Sequence, residues 1–219
     1  MEHVETVTLN LDSSEIVYLC SRDKRLAKVI TTIGPITYTK RDDTDSYAFL
    51  VHEIIEQMLS IKAGQRIYSR LNELCDGNIC PQVISKLSVE QIRGIGTSAA
   101  KAEYIINLTS YVLSGKLDLA GLRNEPDSTV IKKLTAIRGI GTWTAKMYLL
   151  FVLNRPDILP YEDGAFLQSY RWMYKTNDCN PNVVISKCKK WSPYSSIAAR
   201  YLYRALDCGL TKEEFHLYK

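Results

Sequence analysis

A nearly all-α fold, arranged as one domain or two compact lobes, is what this sequence predicts, and three observations predict it. Apolar residues recur at three- and four-residue spacing from Asp23 onward. Strand-like alternation is confined to the first twenty residues, so at most a short β or extended arm is expected there. A Gly-x-Gly turn, Gly139-Ile140-Gly141, joins two helical patterns in the second half of the chain.

The elements follow in order. Val4, Val7, Leu9 and Leu11, then Ile16-Val17-Tyr18, alternate weakly and read as one or two short strands or a loose arm. From Asp23 the pattern is helical: Leu26, Val29, Ile30 and Ile33 share a face, and Gly34-Pro35 ends it. Residues 36–46 are polar and charged and read as a linker. Helices are expected over 47–61, 63–75 and 82–87, and Ser88-Val89-Glu90-Gln91 has the spacing of a capping box opening one more turn. Further helices are expected over 98–114, 128–137, 142–153, 164–174, 182–189 and 194–207. Pro156 and Pro160 break the chain between the helices expected over 142–153 and 164–174, making 154–162 a loop.

Composition excludes several classes. The 219 residues are 46% hydrophobic and 24% charged, an ordinary globular balance. No apolar run reaches the ~18 residues that span a bilayer, and the amino terminus has neither the basic nor the apolar part of a signal peptide. Six cysteines form no Cys-x-x-Cys pair and no zinc or cluster spacing, and the three histidines (His3, His52, His216) are scattered. Reduced thiols in a cytoplasmic or nuclear protein, with no metal site, are therefore expected. Net charge is +4 but uneven. Residues 1–84 hold nine Lys and Arg against twelve Asp and Glu, whereas 85–155 hold ten against five. The basic excess falls on the segment that carries the glycine turn; such a segment is often just a solvated face, and alone it only inclines the reading toward a polyanionic partner.

The turn itself points the same way. Val130, Leu134 and Ile137 give the preceding helix one apolar face, while Ala145 and Met147 through Leu153 make the following helix apolar nearly all round. Ile140 can plug the pair together. Gly139 and Gly141 allow a close turn that leaves the N–H groups at the start of the next helix, about 141–144, facing outward, where they and the helix dipole suit a phosphate oxygen. Carbonyls of the same turn could hold a monovalent cation bridging to that phosphate. A similar stretch occurs earlier: Arg93-Gly94-Ile95-Gly96-Thr97-Ser98-Ala99-Ala100-Lys101 echoes Arg138-Gly139-Ile140-Gly141-Thr142-Trp143-Thr144-Ala145-Lys146. Both read as helix-entry turns with close backbone approach.

With its flanks, Leu134-x-x-Ile137-x-Gly139-Ile140-Gly141-x-x-Thr144-Ala145 resembles the helix-hairpin-helix motif. Pro160-x-x-Asp163 resembles the catalytic-aspartate loop of the helix-hairpin-helix DNA glycosylase superfamily. Ile54-Ile55-Glu56-Gln57-Met58-Leu59-Ser60 is similar to its Gln- and Ser-bearing helix, with Met58 in place of a usual second Gln. Gly96-Thr97-Ser98-Ala99-Ala100-Lys101 resembles its Gly-x-Ser-x-x-Lys helix start. Trp191 to Tyr203 is similar to a carboxy-terminal segment of the 3-methyladenine DNA glycosylase II branch, which commonly has Arg where Ser195 stands and Trp where Tyr203 stands. The matches run from about Asp23 to Tyr203.

What the resemblance implies is specific. The fold would be two-lobed, with residues 46–154 a six-helix barrel carrying the hairpin and residues 1–45 with 155–219 a second helical lobe. Asp163 would be the catalytic carboxylate. Contact with DNA would come from Gly139, Ile140, Gly141, Thr142, Thr144 and Lys146, and from Gln57, Met58, Ser60, Ser98 and Lys101. The base pocket would be walled by Trp143, Tyr161 and Tyr203, with Trp191 further out. Lyase-active members carry a nucleophilic Lys where this chain has Trp143, and an indole cannot form a Schiff base. A monofunctional enzyme needing no cofactor is expected, acting as a monomer on double-stranded DNA that contains damaged bases. Alkylated purines are the leading substrate. The same fold acting on hypoxanthine, uracil or an oxidised purine, or a non-catalytic lesion-binding protein, are the alternatives.

Overall fold

The computed structural model describes residues 5–40 and 45–218. Among them the chain forms twelve α-helices, three short 3₁₀ turns and one two-stranded sheet. The chain divides into two compact units, Met1–Lys40 with Asn154–Lys219, and Arg41–Leu153.

In the first unit, β1 (Thr6–Leu9) pairs antiparallel with β2 (Ile36–Thr39), Val7 opposite Tyr38. Between them run α1 (Ser14–Arg22) and α2 (Lys24–Ile33). Two expectations are corrected here. Ile16-Val17-Tyr18 is helical, because Ile16 and Leu19 form a buried i, i+3 pair while Val17 is exposed. Residues 36–39 of the expected linker are a strand, whose period of two over only four residues is a weak signal alone. Asp23 opens α2 by accepting the N–H groups of Arg25 and Leu26 at 3.0 and 3.3 Å, and Gly34, at φ +78°, ends it.

The second unit is all helix. It contains α3 (Asp45–Glu56), α4 (Ile61–Leu74), α5 (Pro81–Ile84), α6 (Val89–Gly94), α7 (Ala99–Leu113), α8 (Asp127–Thr135) and α9 (Thr142–Phe151). Its core is centred on α3, where Leu50, Val51, Ile54 and Ile55 are fully buried. Burying each contributes roughly 1.5–3 kcal/mol, so truncating Ile54 would loosen every helix packed on α3. Polar pairs fix the register of that packing: Tyr47 with Thr109 of α7 at 2.6 Å, and Tyr148 of α9 donating to Ser46 at 3.1 Å. The capping box at Ser88 is formed, with Ser88 accepting from the Gln91 N–H at 3.2 Å and Gln91 Oε1 accepting from the Ser88 N–H at 2.8 Å.

The chain re-enters the first unit through α10 (Gly164–Tyr174), α11 (Pro181–Cys188) and α12 (Ser195–Asp207), of which α10 and α12 pack with α2. No helix among the described residues is long and apolar enough to cross a membrane.

Candidate functional site

The glycine turn lies between α8 and α9. Gly139 takes φ +99°, a left-handed value that favours glycine. A Cβ there would also stand 2.2 Å from Cγ of Tyr104, so the ring of that α7 tyrosine fills the space beneath the turn. Ile140 is buried, 4% exposed, and plugs the two helices as its sequence position suggests. Two carbonyls of the turn are drawn inward: Asn107 Nδ2 donates to Arg138 O at 3.3 Å, and Gln57 Nε2 to Gly139 O at 2.9 Å. Gly141 is the N-cap of α9 and brings no side-chain oxygen to the first turn. Gly141 and Thr142 are exposed and Trp143 half-buried, so this helix start is open to an anion.

Around the turn, the expected DNA-contacting residues divide. Met58 is fully exposed, at 100%, and holds the left-handed φ of +57°. That value is costly for a side chain of this type. Ser60 follows as the N-cap of α4, accepting from the Ala63 N–H at 3.4 Å, and Ser98 caps α7 by accepting from the Lys101 N–H at 3.2 Å. Lys101, expected at the duplex, turns inward instead: Nζ donates to Ile55 O at 2.8 Å and Gln57 O at 2.5 Å, tying down the carboxyl end of α3. Burial lowers its pKa below the ordinary ammonium value. Lys146, also expected at the duplex, is 8% exposed, and the Thr144 side chain is buried near Gln57 Nε2. A helix apolar nearly all round leaves little solvent face for either.

In the other unit, Asp163 is the N-cap of α10. Oδ1 accepts the Phe166 N–H at 2.7 Å, and the Asp163 N–H itself donates to Pro160 O at 2.9 Å, closing a tight turn. The carboxylate is 8% exposed. Tyr161 and Tyr203 are half-buried. Burial, with Glu162 beside it, raises the Tyr161 hydroxyl.

Trp191 is corrected as a pocket wall. It is fully buried, with Phe166 edge-on at 6.3 Å and Tyr174 stacked at 6.5 Å, and Nε1 donates to Asp23 Oδ2 at 3.0 Å. Tyr174 OH and Lys190 Nζ reach the same Asp23 oxygen. Both ring faces are spoken for by the core, and the indole N–H has its acceptor. Sequence reasoning missed this cluster, as it missed Tyr104 and Asn107: each pairs residues far apart in the chain, with no local signal. Among the described residues, no group of three or more His, Cys, Asp or Glu could hold a metal ion.

Comparison with known proteins places this geometry. A family model described as HhH-GPD superfamily base excision DNA repair protein matches residues 51–193. A Bacillus subtilis relative is 30% identical over 162 residues, covering 72% of this chain but 56% of its own length. DNA-3-methyladenine glycosylase 1 of Schizosaccharomyces pombe is 28% identical over 214 residues, covering 93% of this chain and 91% of that protein. A crystal structure of DNA-3-methyladenine glycosidase from Bacillus halodurans superposes with TM-score 0.82 at 34% identity, over 96% of this chain and 97% of that one.

Proposed function

The chain belongs to the HhH-GPD superfamily of base excision DNA repair proteins, and from that membership we propose that it is a monofunctional DNA glycosylase releasing alkylated purines, of the 3-methyladenine and 7-methylguanine type, from double-stranded DNA. The observation that carries the reading is Asp163: a buried carboxylate fixed at a helix start, at the end of a short proline-bounded loop.

Each step has a residue suited to it. The N–H groups at the start of α9 take a phosphate of the damaged strand. At the hairpin the carbonyls of Arg138 and Gly139 each accept one hydrogen bond, from Asn107 and Gln57, and each keeps a second lone pair that a monovalent cation could use. Met58, exposed and held in a strained backbone conformation, enters the gap as an apolar wedge when the damaged nucleotide is flipped out. A cationic N-alkylated purine gains from cation–π attraction to an aromatic face, for which Trp143 in one unit and Tyr161 and Tyr203 in the other are each candidates. Such a base is a good leaving group and needs no strong general acid.

As it departs, positive charge develops on the deoxyribose. A carboxylate at ~4 Å offers on the order of 4 kcal/mol at an effective dielectric near 20, or roughly three powers of ten in rate. Asp163 supplies that charge and orients the attacking water. Trp143, standing where lyase-active relatives carry lysine, leaves water as the nucleophile.

Asp163→Asn is expected to slow release of 7-methylguanine from a defined duplex by roughly three powers of ten while retaining affinity for the same duplex with an abasic-site analogue. Unchanged release would refute the assignment. Borohydride is expected to trap no protein–DNA adduct, and a stable adduct would overturn the role given to Trp143. Parallel release assays with hypoxanthine, uracil and 8-oxoguanine duplexes decide the base.

A further inference from the structure

The segment that delivers Asp163 is tied to the start of α12 at four successive points. Asn154, at φ +52°, has its side-chain oxygen held by Arg200 Nη2 at 2.9 Å, and that guanidinium lies 4.0 Å from the centroid of the Tyr38 ring. Pro156 O accepts the Ser196 N–H at 3.0 Å. Asp157 takes the Ser192 hydroxyl on Oδ2 at 2.5 Å, and on Oδ1 both the hydroxyl (2.5 Å) and the N–H (3.2 Å) of Ser195. The Ile158 N–H donates to Ser196 Oγ at 2.9 Å. Ser195 and Ser196 are 5% and 3% exposed.

The arrangement serves two ends at once. The residue that should cap α12, Tyr194, makes no side-chain cap bond, and Asp157 provides the carboxylate instead. A helix end is thereby closed by the loop, and the loop is fixed by the helix. Beyond Ile158 little freedom remains: Pro160 has its φ set by its ring, and its carbonyl holds the Asp163 N–H. Rigid support of this kind is what a reacting group needs, since a displacement of ~1 Å costs roughly 10²-fold in rate.

We propose that Asp157, Ser195 and Ser196 are positioning residues for the Asp163 carboxylate, setting its place without touching DNA. This rests on the glycosylase reading above. The test measures single-turnover release of 7-methylguanine from a duplex, alongside affinity for that duplex with an abasic-site analogue. Asp157→Ala and Ser195→Ala are each expected to slow release ~10–100-fold, with affinity for the abasic duplex unchanged. In the Asp163→Asn background neither should slow residual release further, because there is no carboxylate left to misplace. Ser195→Thr, which keeps the hydroxyl, is expected to restore most of the rate.

Thermal melting establishes that each variant is folded. Should Asp157→Ala fail to fold, Asp157→Asn, which keeps Oδ1 but turns the other acceptor into a donor, carries the same comparison. Unchanged release, an equal loss of duplex affinity, or equal slowing in both backgrounds overturns the positioning role. If the wild-type chain releases no base at all, the glycosylase reading falls and takes this proposal with it. If the wild type is active and Asp163→Asn is slowed as expected, only the positioning role is at stake.

Discussion

Two turns in the second unit share the letters Arg-Gly-Ile-Gly-Thr, yet they are built differently. In both, the isoleucine is buried, Ile95 at 5% and Ile140 at 4% exposure. In the first, α6 runs on through Gly94 and the left-handed residue is the second glycine, Gly96, at φ +104°. In the second, α8 stops at Thr135 and the left-handed residue is the first glycine, Gly139, while Gly141 is extended and caps α9. The surroundings account for the difference. Tyr104 fills the floor beneath Gly139, whereas Gly96 meets the tip of Arg70, whose Nη1 donates to Ile95 O at 3.2 Å. The helix start after the first turn is closed by the Ser98 hydroxyl, and the one after the second has no such oxygen. A shared sequence pattern thus yields one self-satisfied helix start and one suited to an anion.

The sharpest way to break this contrast is to add a methyl group to each left-handed glycine. Gly139→Ala combines backbone strain with a clash into the Tyr104 ring and is expected to cost roughly 2–5 kcal/mol in denaturant unfolding, with loss of duplex binding. Gly96→Ala meets the end of the Arg70 side chain and, at ordinary contact distance, Ile67, and should cost about 1–2 kcal/mol. Equal costs would erase the distinction. A smaller effect comes from exchanging the caps. At Gly141 the backbone is extended and nothing lies within 4 Å of a built Cβ, so serine fits. Gly141→Ser should leave the melting temperature unchanged or slightly raised while weakening duplex affinity ~10-fold, or about 1.4 kcal/mol, because its hydroxyl competes for the same N–H groups. The reciprocal Ser98→Ala should cost about 1 kcal/mol of stability and leave affinity for the abasic duplex untouched. A drop in affinity would show that the first turn also meets a phosphate.

Local chemistry was what the sequence made legible. The hairpin, the Ser88 capping box and the long helices were readable because each depends on residues a few positions apart, and so was Asp163 as the cap of α10. Where distant residues decide, reading failed. Ile16-Val17-Tyr18 looks strand-like until Ile16 and Leu19 are seen buried on one face of α1. Lys101 belongs to a DNA-contacting pattern, yet its ammonium finds carbonyls at Ile55 and Gln57 across the fold. Trp191 has the polarity of a pocket wall, but its indole N–H is claimed by Asp23, far away in the chain. Ser195 reads as a departure where arginine is common, until its hydroxyl is found on Asp157.

The Asp23 cluster has a consequence for how this protein tolerates acid. Burial alone would raise that carboxyl, but hydrogen bonds from Tyr174, Lys190 and Trp191 outweigh it and leave the group below its ordinary value. A carboxyl depressed on folding contributes stability at and above the unfolded value near 3.9, and that contribution drains away as pH falls through the lower folded value. Tyr174, raised by burial and by Asp23 itself, sets the opposite limit, since its contribution fades only as solutions become strongly alkaline. The unit that holds Asp163 would therefore come apart in acid through an ion remote from that residue. Melting temperatures taken at each pH show how much of any loss of activity in acid is unfolding of this unit.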